Sequence, residues 1–345
     1  MDIFRKNLDT YQGHNVTQIT LVNDNGVEIS CLTMGAIWQA FNVPDGDSKK
    51  NLLLSFDHTK DYYTNAQNIC KSIGRVAGRI AEGKCELDGQ EVQLPQNENG
   101  NMLHGGPNGF STLNWNYTTS RNNDSVSVIF QKKITEKMDD FPGNILATII
   151  FTLDNDNKVK LSYSALGGAK DSLFNPTNHV YFNLSDRQDL SSHELQIFSD
   201  ATLETNDKNI PTGRVVDVTG TPLDFREFRN LKAAADENDG FDDAFVVSGA
   251  ENKEEPIAIL RDADSGRQVT IKSDRNALVM YNMPELDTEI KFARDLGKSA
   301  IPGEGIALEA QTLPDAINQE NFGDIILPKN GKRSYHIEFA YDNFK

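Results

Sequence analysis

The sequence predicts an all-β protein: a large antiparallel β-sandwich, two or more sheets packed face to face, with few and short helices. Three observations carry that prediction. Apolar residues recur at every second position in many segments, clusters of Gly, Asn and Asp separate those segments, and stretches with a helical period are scarce. The alternation is clearest in VTQITLV (16–22), SVSVIFQKKI (125–134), ILATIIFTL (145–153), KVKLSYSAL (158–166) and SYHIEFAY (334–341). All are rich in the β-branched and aromatic residues that suit a half-buried pleated surface. KCELDGQEVQL (84–94) reads as a hairpin, because its Asp88-Gly89 pair suits a type I′ turn. DNDN (154–157) is a turn between two middle strands. Helical signals are limited to HTKDYYTNAQNICK (58–71) and FREFRNLKAAA (225–235), the second with Asp224 as its N-cap. Loops rich in Gly, Asn and Asp fall at 95–114, 185–194 and 235–243, and long loops on a β scaffold commonly carry function.

The chain has 345 residues, more than one hydrophobic core usually fills, although large all-β folds exceed that limit. No repeat, linker or composition shift divides it, so residues 1–345 are expected to form one domain. The formal charge is −17, from 51 acidic and 34 basic residues. Such a surface repels phosphate backbones, and no Lys/Arg cluster offers a local exception, so no nucleic-acid partner is expected. No run approaches the roughly 18 apolar residues of a membrane span, and the start has no signal-peptide core. Cys31, Cys70 and Cys85 are scattered, odd in number and without metal-ligand spacing, which suits reduced thiols in a cytoplasmic protein.

Several segments could carry chemistry. In FNPTNHVYFNLSD (174–186), a strand would turn Val180, Phe182 and Leu184 to one face and His179, Tyr181 and Asn183 to the other. The first set is core material; the second is a row of hydrogen-bonding groups suited to a concave polar surface. In GIALEAQTLPD (305–315), Ala307, Glu309 and Gln311 share a face, and the small Ala307 leaves room beside the carboxylate. A strand glutamate is more often exposed or paired than catalytic. If Glu309 and His179 line one cavity, however, they form a plausible base and acid. His104 in NMLHGGPNG is followed by two glycines that allow close backbone approach to a ligand. His336 sits on a strand surface. Arg75 and Arg79 lie among glycines in SIGRVAGRIAEGK (72–84), where tight packing would fix an arginine. Asp242 and Asp243 stand between Phe241 and Phe245, an arrangement that suits sugar hydroxyls and equally suits Ca²⁺ or a turn; the EF-hand spacing is absent.

GRVAGRI, NMLHGG, TNHVYFNLS, GFDDAF and LEAQTLPD, in this order, resemble the aldose 1-epimerases, or galactose mutarotases, over about residue 25 to the C-terminus. The resemblance implies a β-sandwich with an open sugar cleft and no metal or organic cofactor. It implies Glu309 as base, His179 as acid, Arg79 and His104 as groups that bind and polarise the sugar, and Asp242 as a holder of hydroxyls. The sugar would be galactose or glucose, or a disaccharide such as maltose, turned over by a monomer or homodimer. Two departures bear on the pocket. Gly78 stands where many members have Asn, and LVMYNMPEL (278–286) differs from the usual Tyr-Thr-Gly-Asn ending. The competing readings are a glycosidase using Asp242 and Glu309, which needs two carboxylates flanking the bond, and a sugar-binding module without catalysis.

Overall fold

A computed structural model describes residues 1–286 and 289–345, with Ala250 described by its backbone alone. Three sheets make up most of the molecule. The first has five strands in sequence order, Asp2–Tyr11, His14–Val22, Glu28–Leu32, Ile37–Asp45 and Ser48–Asn51. The largest has nine, and its centre runs Ser125–Ile134, Ile145–Asp154, Lys158–Gly167, Lys332–Asn343, Arg267–Ser273. The third has six, in the order Tyr181–Phe182, Ile306–Gln311, Ala277–Tyr281, Asp242–Val246, Ala201–Thr205, Pro211–Asp217. Every strand pairing in these sheets is antiparallel.

Alternation in the sequence becomes alternation in burial. Along Ile145–Asp154 every odd-numbered residue is buried and every even one only partly so. Phe151 thereby meets Trp38 from the five-stranded sheet, with ring centroids 6.3 Å apart. Trp38 also packs on Phe339 of the nine-stranded sheet and on Phe182 of the six-stranded one. One indole therefore joins all three sheets. Truncating so large a buried ring typically costs about 3–5 kcal/mol. Strand Ile306–Gln311 differs in kind, because all six of its residues are buried. Its even-numbered side chains enter the core; Glu309 and Gln311, on the other face, line a cleft.

The hairpin at 84–94 forms as Lys84–Leu87 and Gln90–Gln93, with positive φ at Asp88 (55°) and Gly89 (71°). The helices are shorter than their sequence signals. Of 58–71, only Lys60–Tyr63 is helical. Asn68 and Cys70 take positive φ, which no right-handed helix admits, and the chain turns there to carry Cys70 against the residue 179 backbone. The later helix is Leu231–Asn238, and its cap is Asn230, whose side chain accepts from the Ala233 amide. Asp224 does not cap it; its carboxylate takes two hydrogen bonds from Arg226. No helix of the described residues is long and apolar enough to cross a membrane.

Candidate active site

The six-stranded sheet floors a cleft of about 590 Å³, within the usual size range of small-molecule sites. Three adjacent strands supply the floor. Glu309 lies opposite Val279, Val279 opposite Ala244, and Tyr281 opposite Asp242, and residues directly opposite in a ladder project to the same face. Gln311 continues the row beyond Glu309. His179, His104 and Arg79 close the cleft from the side, with Gln67 and Asn209 beyond them.

His179 Nε2 stands 3.4 Å from Glu309 Oε1, and both side chains are almost wholly buried. The remaining polar atoms of the pair, His179 Nδ1 and Glu309 Oε2, have no protein partner, nor has Gln311 Oε1. Orphaned buried polar atoms are uncommon in folded proteins, and a cluster of three in one cleft marks a place for a polar ligand. Burial pushes the Glu309 carboxyl well above the ordinary carboxylate range, nearby Asp242 adds to the effect, and Arg79 opposes it. Burial holds His179 well below the ordinary imidazole value. Both shifts favour the uncharged forms, so the pair carries one proton through the neutral range.

His104 sits at a left-handed turn, φ 53°, just after the short strand Met102–Leu103. It is clasped to Gly78: the His104 amide donates to the Gly78 carbonyl (3.0 Å), and the Gly78 amide donates to His104 Nδ1 (3.3 Å). That bond makes Nδ1 an acceptor and leaves the proton on Nε2. Burial, with His179 and Arg79 nearby, keeps the ring neutral. Its ring lies 5.2 Å, centroid to centroid, from that of His179. Ligating atoms of His104, His179 and Glu309 lie within 4.8 Å of one another, so the same trio is a group that could hold a metal ion.

Arg79 is gripped from two sides. Its Nε and Nη2 donate to Glu98, and Nη1 donates to Asp242 at 3.3 Å. Asp242 also accepts from Asn209 at 3.0 Å. Gly78 has φ 71°, a region open to Gly and, among other residues, most readily to Asn. A Cβ there would approach Pro314 at 3.3 Å and Gln311 Oε1 at 3.5 Å. With glycine, the Gln311 carbonyl has no neighbouring side-chain donor at this position.

The cleft thus gathers Arg79, His104, His179, Asp242 and Glu309. It does not take in the whole polar row of 179–183. Only Tyr181 and Phe182 join a ladder. The Tyr181 ring stacks beneath His179 at 5.0 Å and its hydroxyl donates to the Gln67 carbonyl, while the Asn183 amide ties the chain at 187, 188 and 304. Tyr181 and Asn183 hold the site's supports in place and form no part of its floor. The glycines after His104 also serve the protein's own packing: a Cβ on Gly105 would stand 1.9 Å from the Gly74 carbonyl oxygen. Glu98, Tyr281 and Gln67 escaped the sequence reading. They lie in loops or on a strand face with no distinguishing period, whereas Gln311 was legible from its phase with Glu309.

The sequence model of the family described as aldose 1-epimerase matches residues 17–340. An aldose 1-epimerase of Streptococcus thermophilus is 47% identical over 95% of each chain. The chain belongs to the aldose 1-epimerase family. A maltose epimerase of Levilactobacillus brevis is 37% identical over 99% of each chain. Among solved structures, a galactose 1-epimerase from Lactobacillus acidophilus superposes with a TM-score of 0.87 at 25% identity, covering 100% of this chain and 99% of the other. This membership makes the protein a carbohydrate isomerase acting at the anomeric centre, and its fold is the β-sandwich of the mutarotases.

Proposed function

We propose that the protein interconverts the α and β anomers of D-galactose and D-glucose, with Glu309 as base and His179 as acid. The carrying observation is the close, buried pair of Glu309 and His179 with its two partnerless atoms in a polar cleft. Glu309 removes the proton from the C1 hydroxyl while His179 protonates the ring oxygen. The C1–O5 bond breaks and the free aldehyde forms. Rotation about C1–C2 presents the other carbonyl face, and the two residues exchange roles as the ring closes.

The cycle starts from the charged tautomer, which burial disfavours and which hydrogen bonds from a bound sugar would stabilise. Ring opening turns a carboxylate and an imidazolium into a carboxylic acid and a neutral imidazole, the form that burial favours. Closing the ring restores the charged pair, so the total proton count never changes. His104 Nε2–H and Arg79 face the oxygens where negative charge builds, and fixed donors in a site of limited water stabilise it. Acid–base groups so placed contribute roughly 10²–10⁴-fold each.

A disaccharide reading has support of its own in the likeness to the L. brevis maltose epimerase. Optical rotation of freshly dissolved α-D-galactose, α-D-glucose and α-maltose, followed with and without protein, tests both. Faster decay to the same final rotation is expected with the monosaccharides. Acceleration of maltose alone would replace the first reading by the second, and acceleration of none would remove both. The protein is proposed to work as a single domain in the cytoplasm.

A further inference from the structure

The charges lining the cleft are one-sided. Glu98, Asp239, Asp242 and Glu285 face it, and among the described residues lining it Arg79 is the only lysine or arginine. The Arg79 guanidinium is already engaged by Glu98 and Asp242. The His179–Glu309 pair, holding one proton, adds no net charge in either tautomer. Beneath the acidic wall lies Gln311 Oε1, a buried acceptor without a protein partner and outside the acid–base pair. The cleft wall therefore carries net negative charge, and its one lining cation is shared with two carboxylates.

We propose that this site takes aminohexoses, sugars bearing one protonated amine, as substrates in preference to hexose phosphates and uronic acids. The inference rests on the epimerase reading above, since it names the charge class of sugar that the same site turns over. An ammonium group gains attraction from the carboxylates and has acceptors to bond. A phosphate or carboxylate meets like charge on the wall, and the donors it would need, Arg79 and His104 Nε2–H, are those the anomeric oxygens use in the epimerase reading. Low-dielectric walls lined by one sign of charge concentrate ligands of the opposite sign, raising association by about 10–10³-fold.

The test measures kcat/KM for anomer exchange of five sugars, each corrected for its own spontaneous rate. They are D-glucose, D-glucosamine, 6-amino-6-deoxy-D-glucose, D-glucose 6-phosphate and D-glucuronate, at a pH where the amines are protonated. At low salt, the better aminohexose is expected to exceed both anionic sugars by about tenfold or more, and the gap should narrow several-fold at high salt as screening sets in. Comparing the 2-amino with the 6-amino sugar locates the ammonium near to or far from the anomeric carbon. Equal rates for cationic and anionic sugars, or a gap indifferent to salt, would overturn the inference. The neutral glucose arm separates the two claims: no acceleration there defeats the epimerase reading, while acceleration without charge preference defeats only this one. Asp239 and Glu285 are exposed at the rim, so the Asp239→Asn/Glu285→Gln variant is expected to fold and to shrink the cationic-to-anionic ratio. An unchanged ratio in that variant counts against the proposal.

Discussion

Arg75 and Arg79 lie four residues apart in one glycine-rich segment, yet they occupy opposite kinds of surroundings. Arg75 is completely buried and pairs with Asp139 through two parallel bonds, Nε to Oδ2 at 2.7 Å and Nη2 to Oδ1 at 2.9 Å. Its Nη1 donates to the carbonyls of Pro142 and Gly143 and to the Ser172 hydroxyl. Complete burial leaves a ligand no approach to it. Arg79 is held by two carboxylates on the cleft wall, at the longer distances of 3.1–3.3 Å. The first arrangement closes a structure; the second leaves a charged group beside partnerless acceptors. What separates a structural from a functional arginine is the state of its neighbours' hydrogen-bonding capacity, and the segment GRVAGRI alone does not contain that information.

The contrast can be broken at several points, with effects of decreasing size. Glu309→Gln keeps the shape of the cleft and removes the base, so kcat is expected to fall by about 10²–10⁴-fold with the thermal midpoint undiminished. Near-normal turnover would remove Glu309 from the mechanism. Arg75→Met leaves Asp139 buried and uncompensated, which typically costs about 3–5 kcal/mol. Chemical denaturation should register that loss, and replacing Asp139 as well, in Arg75→Met/Asp139→Leu, should recover much of it. Arg79→Ala should show the reverse pattern: a higher KM and lower kcat with little change in the denaturation midpoint. An unchanged KM would count against a binding role.

Two pH dependences follow from burial. The His179–Glu309 pair gains a second proton only below the ordinary imidazole value and loses its proton only above the ordinary carboxylate value. A plot of kcat/KM against pH should therefore place its acid limb well below the unperturbed imidazole value, and an acid limb at about 6.5 would contradict the shared proton. The smallest effect belongs to Glu304, which is wholly buried, close to Asp295, and raised by burial to about 8. Its folded value lies above its unfolded one, so the unfolded chain sheds its proton first. Stability from this group is full below about 4.5 and is lost as pH rises toward 8. Thermal midpoints recorded across that window should decline in the parent protein and decline less in Glu304→Gln.

Much of the fold was legible because alternation and burial share one cause. The limits of 125–134 in the sequence are those of the strand Ser125–Ile134. Helices were less legible: the polar segment 58–71 has a helical period, but backbone turns at Asn68 and Cys70 serve contacts made with residues more than a hundred positions away. The site divides in the same way. Glu309 and Gln311 could be read from strand phase, and His179 from its polar row. The diversion of Tyr181 and Asn183 to neighbouring loops, and the clasp of Glu98 on Arg79, depend on tertiary partners that no local pattern encodes.

Exchange between the α and β signals of equilibrated D-galactose, followed by NMR saturation transfer, tests the central claim most directly. Magnetisation transfer should accelerate with the parent protein and return to the uncatalysed rate with either Glu309→Gln or His179→Gln. Full exchange persisting in either folded variant would contradict the paired acid and base.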